Sequence, residues 1–356
     1  MSRIKVLYIL PDLSNAGPVN MCLSLIKGLD KTKFDIHVAA LGSGELIHQF
    51  ENFSSVKIYP RTKILNFLKE SKMGNYDIIH SHTIISDLFS STLCSSAKKI
   101  TTIHNYPDID SVFRRGRIVG GGLYILQKIA ISSMLKVACS ISVRDYCTNK
   151  LNLRKVIAIP NGVSPSAYPI RNENVDSGTI NFYYLGSITA RKNVEELLLA
   201  FSEWSINKNA KLNIIGGGDL LEALSLKYND RKIKYYGKLS DPAQTVIDFD
   251  CFVSASRAEG MPLALLEALS LGKAYICSNI EPHVEVYKSD NGRSGFIYEL
   301  GNKEQLIQSF DKYYNTPNRA MLSQNAKQCF DLYYDMRIMS EHYSKLYFEM
   351  SNKVSI

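Results

Sequence analysis

Short apolar strands that alternate with helical segments constrain the fold of this chain more than any other feature of its sequence. In the first half, apolar runs predict strands at 4–10, 34–41, 77–80, 99–104 and 155–159. Apolar spacing also predicts a helix over 19–29, after a turn that contains Gly17. Strands of this length between helical segments are typical of parallel sheets covered by helices on both faces. The first half therefore predicts a doubly wound α/β domain.

The alternation stops at a polar stretch, 164–178, and then restarts. This stretch contains Pro165, Pro169 and Gly178, which are typical of a linker between domains. Beyond it, the pattern predicts a second set of elements, with strands at 180–185, 212–215, 233–236, 251–254 and 274–277 and helices at 193–204 and 262–271. The second half therefore predicts another doubly wound α/β domain.

The length of 356 residues is sufficient for two domains, each with a core of its own. We predict an N-terminal Rossmann-like domain at 1–165 and a C-terminal one at 166–335. A C-terminal helix at 336–356 is expected to cross back to the N-terminal domain. Ligands of doubly wound sheets bind at the carboxyl ends of the strands. Functional residues are therefore expected in the loops that follow the strands.

The positive charge of the chain lies wholly in its first half. Residues 1–165 contain 21 Lys and Arg against 11 Asp and Glu, a net of +10, whereas residues 166–356 contain 21 against 23, a net of −2, which together give the +8 of the chain. This asymmetry predicts an anionic partner for the first half, such as a membrane surface, a lipid phosphate or a nucleic acid. A solubilising surface without a target is the alternative.

The seven cysteines are odd in number, and none has the Cys-x-x-Cys spacing of a zinc or redox site. Most lie in apolar runs, which favours reduced core cysteines in a cytoplasmic protein. The first apolar run, 4–10, is too short for a signal peptide and contains Lys5. No uncharged apolar stretch reaches about 18 residues, so no membrane-spanning helix is predicted.

The strongest chemical signal is a pair of glutamates, Glu259 and Glu267, separated by seven residues. Glu259 precedes a turn, and Glu267 lies about two turns into the helix that follows. One carboxylate can accept two hydrogen bonds from the vicinal hydroxyls of a sugar or ribose. The helix start between the glutamates, at Met261, Pro262 and Leu263, is suited to an anion. Glutamates are common on helix surfaces, so the surrounding residues decide the interpretation.

Those surrounding residues form the segment 256–273, which reads Ser-Arg-Ala-Glu-Gly-Met-Pro and, from 265 onward, Leu-Leu-Glu-Ala-Leu-Ser-Leu-Gly-Lys. The segment closely resembles the signature of the GT4 family of retaining glycosyltransferases, which have the GT-B fold of two Rossmann-like domains and an interdomain cleft. Further family-like segments occur in the right order at 159–163, 184–186, 191–193 and 214–218. The resemblance covers nearly the whole chain and is weaker before residue 76.

The resemblance implies roles for individual residues. Glu259 contacts the transferred sugar, and Glu267 holds the ribose of a nucleotide-sugar donor. Arg191 and Lys192 bind the leaving diphosphate, which would offset the cost of two cations at a helix start. Many members have arginine directly after the glycine of this loop, where this chain has Ser187. Either Arg191 supplies the missing charge, or the diphosphate is held more weakly.

Glycines and one histidine complete the implied site. Glycine allows the backbone to approach a ligand closely, and the resemblance places such approaches to the donor at Gly17, Gly186, Gly216, Gly218 and the pair Gly237-Lys238. Gly17 lies in a loop that replaces the usual double glycine after the first strand. His104 closes the strand 99–104 and matches the family histidine that faces the transferred sugar. Without the family match, a histidine at a strand end is more often structural.

Two other patterns could suggest a metal site. His80 and His82 have the alternate spacing of a metal pair on a strand, but no carboxylate or cysteine nearby completes the site. Asp108 and Asp110 in a loop, and 248–250 before a strand, have the Asp-x-Asp pattern that binds manganese in a different glycosyltransferase fold. We interpret these patterns as coincidental and expect no metal cofactor.

A basic segment that follows His104 predicts where a membrane binds. Arg114, Arg115 and Arg117 lie among apolar side chains, and the apolar stretch 123–126 comes next. Arginines pair well with phosphate, and basic residues beside apolar ones favour anionic membrane surfaces. The alternative is a basic loop followed by an ordinary core helix. We therefore expect a cytoplasmic enzyme that associates with the inner face of the plasma membrane and binds no nucleic acid.

The resemblance implies transfer of a hexose or N-acetylhexosamine from a nucleotide sugar, which we expect to be UDP-linked, with retention of the anomeric configuration. The chain looks most like bacterial members that build O-antigen or capsule on lipid-diphosphate-linked or oligosaccharide acceptors. Two alternatives remain. One is a non-hydrolysing UDP-sugar epimerase of the same fold, which would need acid/base residues in place of the glutamate signature. The other is a degenerate copy that only scaffolds an active partner.

Overall fold

The computed structural model describes residues 2–60, 75–93, 96–169 and 178–351. The chain forms two compact units, of which unit 1 contains Met1–Gly162 and Met336–Ile356, and unit 2 contains Val163–Asp335. The boundary predicted after residue 165 thus lies three residues beyond the structural one. Part of the predicted linker, 170–177, lies outside the described residues.

Unit 1 is built on a parallel sheet whose described strands are β1 (Ile4–Leu10), β2 (Phe34–Ala40), β3 (Ser55–Ile58), β4 (Ile78–His82), β5 (Lys98–Ile103), β6 (Leu135–Ala138) and β7 (Val156–Ala158). Their order is β3-β2-β1-β4-β5-β6-β7. β1 and β4 are buried almost throughout, as expected for strands covered on both faces. The order reverses between β1 and β4, and ligands of such sheets bind at this kind of reversal.

The helices of unit 1 that precede the second sheet are α1 (Gly17–Gly28), α2 (Ile47–Glu51), α3 (Ile84–Thr92), α4 (Pro107–Ala130) and α5 (Ile141–Asn149). α4 is interrupted at Gly116, which has a φ of +74°. A side chain at Gly120 would collide with the carbonyl of Ser111, so the two parts of α4 approach each other closely.

Unit 2 repeats the architecture with strands β8 (Ile180–Leu185), β9 (Ala210–Ile215), β10 (Ile233–Gly237), β11 (Cys251–Ser254), β12 (Ala274–Ser278) and β13 (Gly295–Tyr298). The described sheet has the order β10-β9-β8-β11-β12-β13. Its helices are α6 (Val194–Trp204), α7 (Leu221–Lys227), α8 (Pro242–Val246), α9 (Leu263–Ser270), α10 (Glu281–Ser289), α11 (Lys303–Tyr314) and α12 (Arg319–Cys329), followed by a π-helical turn at Phe330–Tyr334. The strand order of this sheet reverses between β8 and β11.

An aromatic cluster forms the core of unit 2 between the sheet and two helices. Phe182 of β8 contacts Phe310 of α11, with ring centroids 5.0 Å apart. Trp204 of α6 stacks on the same Phe310 ring at 5.2 Å. Burial of such rings contributes on the order of 2 kcal/mol each. The cluster fixes α6, which begins directly after the loop that carries Arg191 and Lys192.

The last helix, α13 (Met336–Ser351), completes unit 1 rather than unit 2. It packs on α1, β1 and β4. Ser340 donates a hydrogen bond to the carbonyl of Leu25 at 3.0 Å, and a side chain at Gly28 would collide with Ser340. Tyr343 and Tyr347 are fully buried in the core of unit 1. The prediction of a helix over 336–356 extends to 352–356, which lie outside the described residues.

The predicted architecture of two doubly wound α/β domains is confirmed, and each predicted strand or helix before residue 336 begins and ends within two residues of an observed one. The predicted loop around Asp108 and Asp110 is wrong, because both lie in the first turn of α4. Pro107 starts that helix, and acidic residues are favourable in a first turn. None of the helices within the described ranges has the length and apolarity to cross a membrane.

Candidate active site

The loops that follow the first three strands of unit 2 are hydrogen-bonded to one another. The N–H of Gly186 donates to the carbonyl of Ile215 at 3.0 Å, and the N–H of Gly216 donates to that of Gly237 at 2.8 Å. Gly216 has a φ of +136°, and a Cβ on it would lie 1.8 Å from the carbonyl oxygen of Gly186. Only glycine fits this position, because any side chain would separate the two loops.

The other predicted nucleotide-loop residues lie at the same carboxyl edge. A Cβ on Gly218 would lie 2.3 Å from the carbonyl oxygen of Ile188. Lys238 is exposed directly after β10. The hydroxyl of Tyr236 on β10 donates to Asn213 of β9 at 3.3 Å. The structure thus collects the predicted loop residues of unit 2 along one edge of the sheet.

Glu259 lies between two cations at this edge. Its Oε2 accepts a hydrogen bond from Arg191 Nη1 at 3.0 Å, and its Oε1 accepts one from Lys192 Nζ at 2.5 Å. The N–H of Arg257 donates to the carbonyl of Arg191 at 2.9 Å. These contacts join the loop after β8 to the loop after β11, the two strands between which the strand order reverses. We call Arg191, Lys192 and Glu259 the ion cluster.

The ion cluster is largely removed from solvent. The side chains of Arg191, Lys192 and Glu259 are 20%, 17% and 8% exposed. Burial alone would raise the pKa of the Glu259 carboxyl, but the charges of Lys192 and Arg191 outweigh burial and lower that pKa to about 2. Glu259 is therefore ionised at neutral pH and cannot act there as a proton donor.

Sequence reasoning did not anticipate the ion cluster. It expected an anionic ligand to offset the two cations at the start of α6, and in the structure the carboxylate of Glu259 performs this role. The distance along the chain between Lys192 and Glu259 hides the pairing from any local pattern. The signal that could have found it is the reversal between β8 and β11, because the loops after these strands are neighbours.

Glu267 lies on α9 and is partly exposed. Its carboxyl group makes no hydrogen bond or ion pair with another of the described residues, and burial raises its pKa to about 7. α9 begins at Leu263 after the buried Met261 and Pro262, with no capping side chain and no acidic residue in its first turn. The positive end of this helix dipole is therefore not offset by a side chain of the first turn.

In unit 1, His104 follows β5 and contacts a second histidine. Its Nε2 lies 2.9 Å from Nδ1 of His82 on β4, and the two rings stack with centroids 5.1 Å apart. Burial lowers the pKa of His104 to about 3. Burial, together with His80 and His104, lowers the pKa of His82 well below its ordinary value. Both rings are therefore neutral near pH 7.

A buried hydrogen-bond network joins His80 to the last helix. His80 Nδ1 lies 2.7 Å from the hydroxyl of Tyr347, and its Nε2 lies 2.8 Å from Thr102 Oγ1. Tyr8 bonds to Tyr347 at 2.9 Å, and Thr102 to Tyr343 at 2.8 Å. Sequence reasoning missed these partners, since the tyrosines lie far along the chain. Their spacing of four residues, which puts both on one helix face, was the available signal.

Within the described ranges, no group of three His, Cys, Asp or Glu residues is arranged to hold a metal ion. Both ring nitrogens of His80 lie near hydroxyl groups, as described above. Asp108 accepts a hydrogen bond from Tyr146 at 2.9 Å, and Asp110 accepts one from Asn105 at 3.0 Å. These contacts occupy both ring nitrogens of His80 and one carboxylate oxygen each of Asp108 and Asp110.

Gly17 is the exposed first residue of α1, and it follows the loop after β1. The preceding Ala16 provides no capping side chain for this helix. Gly17 therefore lies on the carboxyl side of the strand next to the reversal in the unit 1 sheet. Its contact with a donor phosphate, like the ligand contacts of every other predicted site residue, stays a prediction.

Comparison with known proteins relates the chain to sugar-transferring enzymes. The family model described as Glycosyltransferase Family 4 matches residues 16–167, and the model described as Glycosyl transferases group 1 matches residues 170–329. The chain is 26% identical to the capsular polysaccharide biosynthesis glycosyltransferase CapH of Staphylococcus aureus, over 80% of this chain and 83% of that one. It is 24% identical, over 92% of each chain, to an Escherichia coli UDP-Gal:alpha-D-GlcNAc-diphosphoundecaprenol alpha-1,3-galactosyltransferase.

A solved structure of Anabaena HepE in complex with UDP and glucose has a TM-score of 0.82 to this chain at 14% identity, and the match covers 97% of this chain and 99% of that one. Two Rossmann-like units with this similarity define the GT-B fold. The two family models, which together span most of the sequence, specify it further: the chain belongs to the GT4 glycosyltransferases. This assignment favours a transferase over an epimerase of the same fold.

Proposed function

We propose that this glycosyltransferase takes a hexose or N-acetylhexosamine from a UDP-sugar and transfers it, with retention of the anomeric configuration, to a lipid-diphosphate-linked sugar in surface-polysaccharide biosynthesis. The observation that carries the proposal is the ion cluster, in which Arg191 and Lys192 enclose Glu259. It lies where the strand order of the unit 2 sheet reverses, and doubly wound sheets bind nucleotides at such places.

Glu259 binds and orients the transferred sugar in this proposal. An ionised carboxylate accepts hydrogen bonds from sugar hydroxyl groups. With its pKa near 2, Glu259 can neither donate nor readily accept a proton at neutral pH. The proton of the acceptor hydroxyl then passes to the leaving diphosphate in a front-face displacement. This route needs no dedicated protein base and is consistent with retention.

Arg191 and Lys192 stabilise the negative charge that develops on the diphosphate as the glycosidic bond breaks. The uncapped start of α9 adds the positive end of a helix dipole. Two largely buried cations and a helix start can supply the charge compensation that a divalent metal gives in other enzymes. We therefore propose that transfer requires no metal ion.

The names of the relatives support the donor and acceptor classes. The E. coli relative is named for a UDP-Gal donor and a diphosphoundecaprenol-linked acceptor, and the Anabaena structure contains UDP and glucose. The S. aureus relative is named for capsular polysaccharide biosynthesis. A lipid-linked acceptor would also explain why the positive charge of this chain lies in its first half.

We propose that α4 brings the enzyme to the inner face of an anionic membrane. Its apolar side chains include several that are exposed, and Ile118 is 92% exposed. Phe113 and Val119 are also exposed, and the exposed Arg115 and Arg117 lie among them. The side chain of Arg114 lies outside the described part of the structure. Exposed apolar groups interleaved with arginines are suited to the headgroup region of a bilayer.

The donor is tested with a panel of UDP-sugars in a thermal shift assay. A donor at 100 times its dissociation constant stabilises the folded state by about 2.7 kcal/mol. For a unit of this size, that corresponds to a rise of roughly 5–10 °C in the melting temperature. The proposal fails if no UDP-sugar raises the melting temperature while sugars linked to another nucleotide do.

Transfer is tested with the identified donor and a short polyprenyl-diphosphate-linked N-acetylhexosamine. The product should carry the donor's anomeric configuration by NMR, and its formation should require intact Glu259. An epimerase would instead change the free UDP-sugar, and a scaffold protein would neither hydrolyse nor transfer it. A product of inverted configuration would refute the retaining mechanism.

Membrane association is tested by co-sedimentation with anionic vesicles. The wild type should bind and be released at high salt, because surface charges are screened. Replacing Arg114, Arg115 and Arg117 with glutamine should weaken vesicle binding. It should also slow transfer to a lipid-linked acceptor without altering donor affinity. A matched variant with glutamine at the exposed Lys33, Lys150 and Arg154 loses the same charge. Equal sedimentation of the two variants would exclude α4 as the membrane-binding element.

A further inference from the structure

His82, the buried histidine that contacts His104 in unit 1, has a role of its own. We propose that His82 is a positioning residue, which donates its Nδ1–H to His104 Nε2 and thereby leaves a hydrogen on His104 Nδ1 as the donor offered to the transferred sugar. This inference rests on the proposed function and on the role that the family resemblance implies for His104 in it, contact with the transferred sugar. It concerns which hydrogen-bonding group His104 presents, and it is tested separately from that role.

The rings of His82 and His104 are joined by a direct hydrogen bond. His82 Nδ1 and His104 Nε2 are 2.9 Å apart. His82 is completely buried, whereas His104 is partly exposed. No described residue bonds to His104 Nδ1, so this nitrogen is the atom of the ring that is left to contact a ligand. The hydrogen bond to His82 therefore fixes the position of the His104 ring, and the Nδ1 of that ring is left for a ligand.

Two neutral imidazoles can share this bond in only two ways. Each neutral ring carries one N–H and one bare nitrogen. If His82 donates, its Nε2 is bare and His104 carries its hydrogen on Nδ1. If His104 donates, His82 carries its hydrogen on Nε2 and the outward Nδ1 of His104 is bare. The two arrangements offer the sugar a donor or an acceptor respectively.

The surroundings of His82 Nε2 favour the first arrangement. This nitrogen is buried, and no hydrogen-bonding group of the described residues lies within reach of it. Buried N–H groups without an acceptor are rarer in folded proteins than buried acceptors without a donor. A hydrogen on Nε2 would have to be buried unpaired, whereas a hydrogen on Nδ1 is bonded to His104. His82 is therefore the donor.

The stacked rings behind His82 hold it in place. The ring of His80 stacks on that of His82 with centroids 4.4 Å apart. His80 is itself bonded to Tyr347 and Thr102 through its two nitrogens. His82 thus has a rigid support on one side and a single hydrogen-bond partner on the other. Such a support preorganises the group that contacts the ligand.

The tautomer is read directly by NMR of the free protein labelled with ¹⁵N-histidine, since protonated and bare ring nitrogens have well-separated shifts. The His104 resonances are assigned from their loss in His104→Asn. We expect a protonated Nδ1 and a bare Nε2 on His104. In His82→Leu, the hydrogen of His104 should become distributed over both nitrogens. A protonated Nε2 on His104 in the wild type would overturn the inference, whatever the activity.

Kinetics with the donor give the second readout. His82→Leu should lower kcat at least tenfold, with a change of less than about threefold in the donor KM, because the positioned donor acts mainly in the transition state. His82→Asn places an amide N–H near the position of Nδ1 and should restore kcat to within about threefold of the wild type. His48→Leu, at an exposed histidine on α2, is the control.

The outcomes separate this inference from the function on which it rests. If His104→Ala leaves transfer unchanged, the proposed role of His104 is wrong. If His104→Ala abolishes transfer but His82→Leu retains the wild-type rate, His82 is not a positioning residue. If His82→Leu does not fold, the wild-type tautomer and the rate of His82→Asn still decide, and a tenfold loss in a folded His82→Asn would count against the inference.

Discussion

Replacing Glu259 with glutamine should destabilise unit 2 by about 2–3 kcal/mol at pH 7. The pKa of Glu259 falls from its ordinary 4.5 to about 2, and a difference of one pKa unit corresponds to 1.36 kcal/mol. The ion cluster therefore favours the ionised carboxylate by about 3 kcal/mol, as an upper bound. Glutamine keeps the shape of the side chain but leaves Arg191 and Lys192 beside each other without an anion.

The pH dependence follows from the sign of this shift. A carboxyl whose pKa is lowered by folding contributes stability above its unfolded pKa of about 4.5, and this stability is lost as the pH falls through its folded pKa of about 2. About 2 kcal/mol should be lost between pH 7 and pH 3 in the wild type. Glu259→Gln has no carboxyl at this position. The difference in the free energy of unfolding between the wild type and Glu259→Gln should therefore be smaller by that amount at pH 3 than at pH 7.

The assay is urea unfolding followed by tryptophan fluorescence. Trp204 is the only tryptophan in the sequence and lies in the core of unit 2, so it reports on that unit alone. Glu195→Gln is a matched control, because Glu195 forms an exposed ion pair with Lys227 and exposed pairs contribute about 0–1 kcal/mol. If Glu259→Gln and Glu195→Gln lower the free energy of unfolding by the same small amount, both at pH 7 and at pH 3, the ion cluster does not stabilise the ionised Glu259 as described.

Three further outcomes are expected. Lys192→Ala and Glu267→Ala should each weaken UDP-sugar binding about 10- to 100-fold in calorimetry. Each removes a charged hydrogen bond, to the diphosphate and to the ribose respectively. Wild-type affinity in both variants would contradict the proposed donor site. Transfer should continue in excess EDTA, and loss that manganese restores would show that the Asp-x-Asp pairs were misjudged. UDP-sugar affinity should fall as the pH drops below about 7, because the pKa of Glu267 is raised to about 7 and only its ionised form is a pure acceptor. If the affinity of Glu267→Gln falls with pH as steeply as that of the wild type, this explanation is refuted.

The sequence predicts the fold well where periodicity is strong. β1, β8 and β11 are mostly apolar runs, and the sequence predicts each with the bounds that the structure has. β3, β6 and β13 were not predicted. β3 and β13 lie at sheet edges, where less burial is required and the apolar pattern is weaker. The start of α4 is predicted as a loop because it contains Asp108 and Asp110, although Pro107 marks a helix start.

The candidate site was predictable as a set of positions but not as a set of contacts. A family signature at 256–273 points to Glu259 and Glu267 through residue identity alone. The pairing of Glu259 with Lys192, and that of His104 with His82, depends on which loops the sheets place side by side. Such neighbours are separated by tens of residues, so a local pattern carries no information about them.

The position of α13 has a consequence for how the protein is made. Unit 1 contains the first residues of the chain, yet Tyr343 and Tyr347 of its core belong to the last helix. At 5–20 residues per second, synthesis of Val163–Asp335 takes roughly 10–35 s. During this time Tyr8, His80 and Thr102 have no tyrosine partners from α13. The unit that is synthesised first therefore completes its core last, after unit 2 has had time to fold on the ribosome.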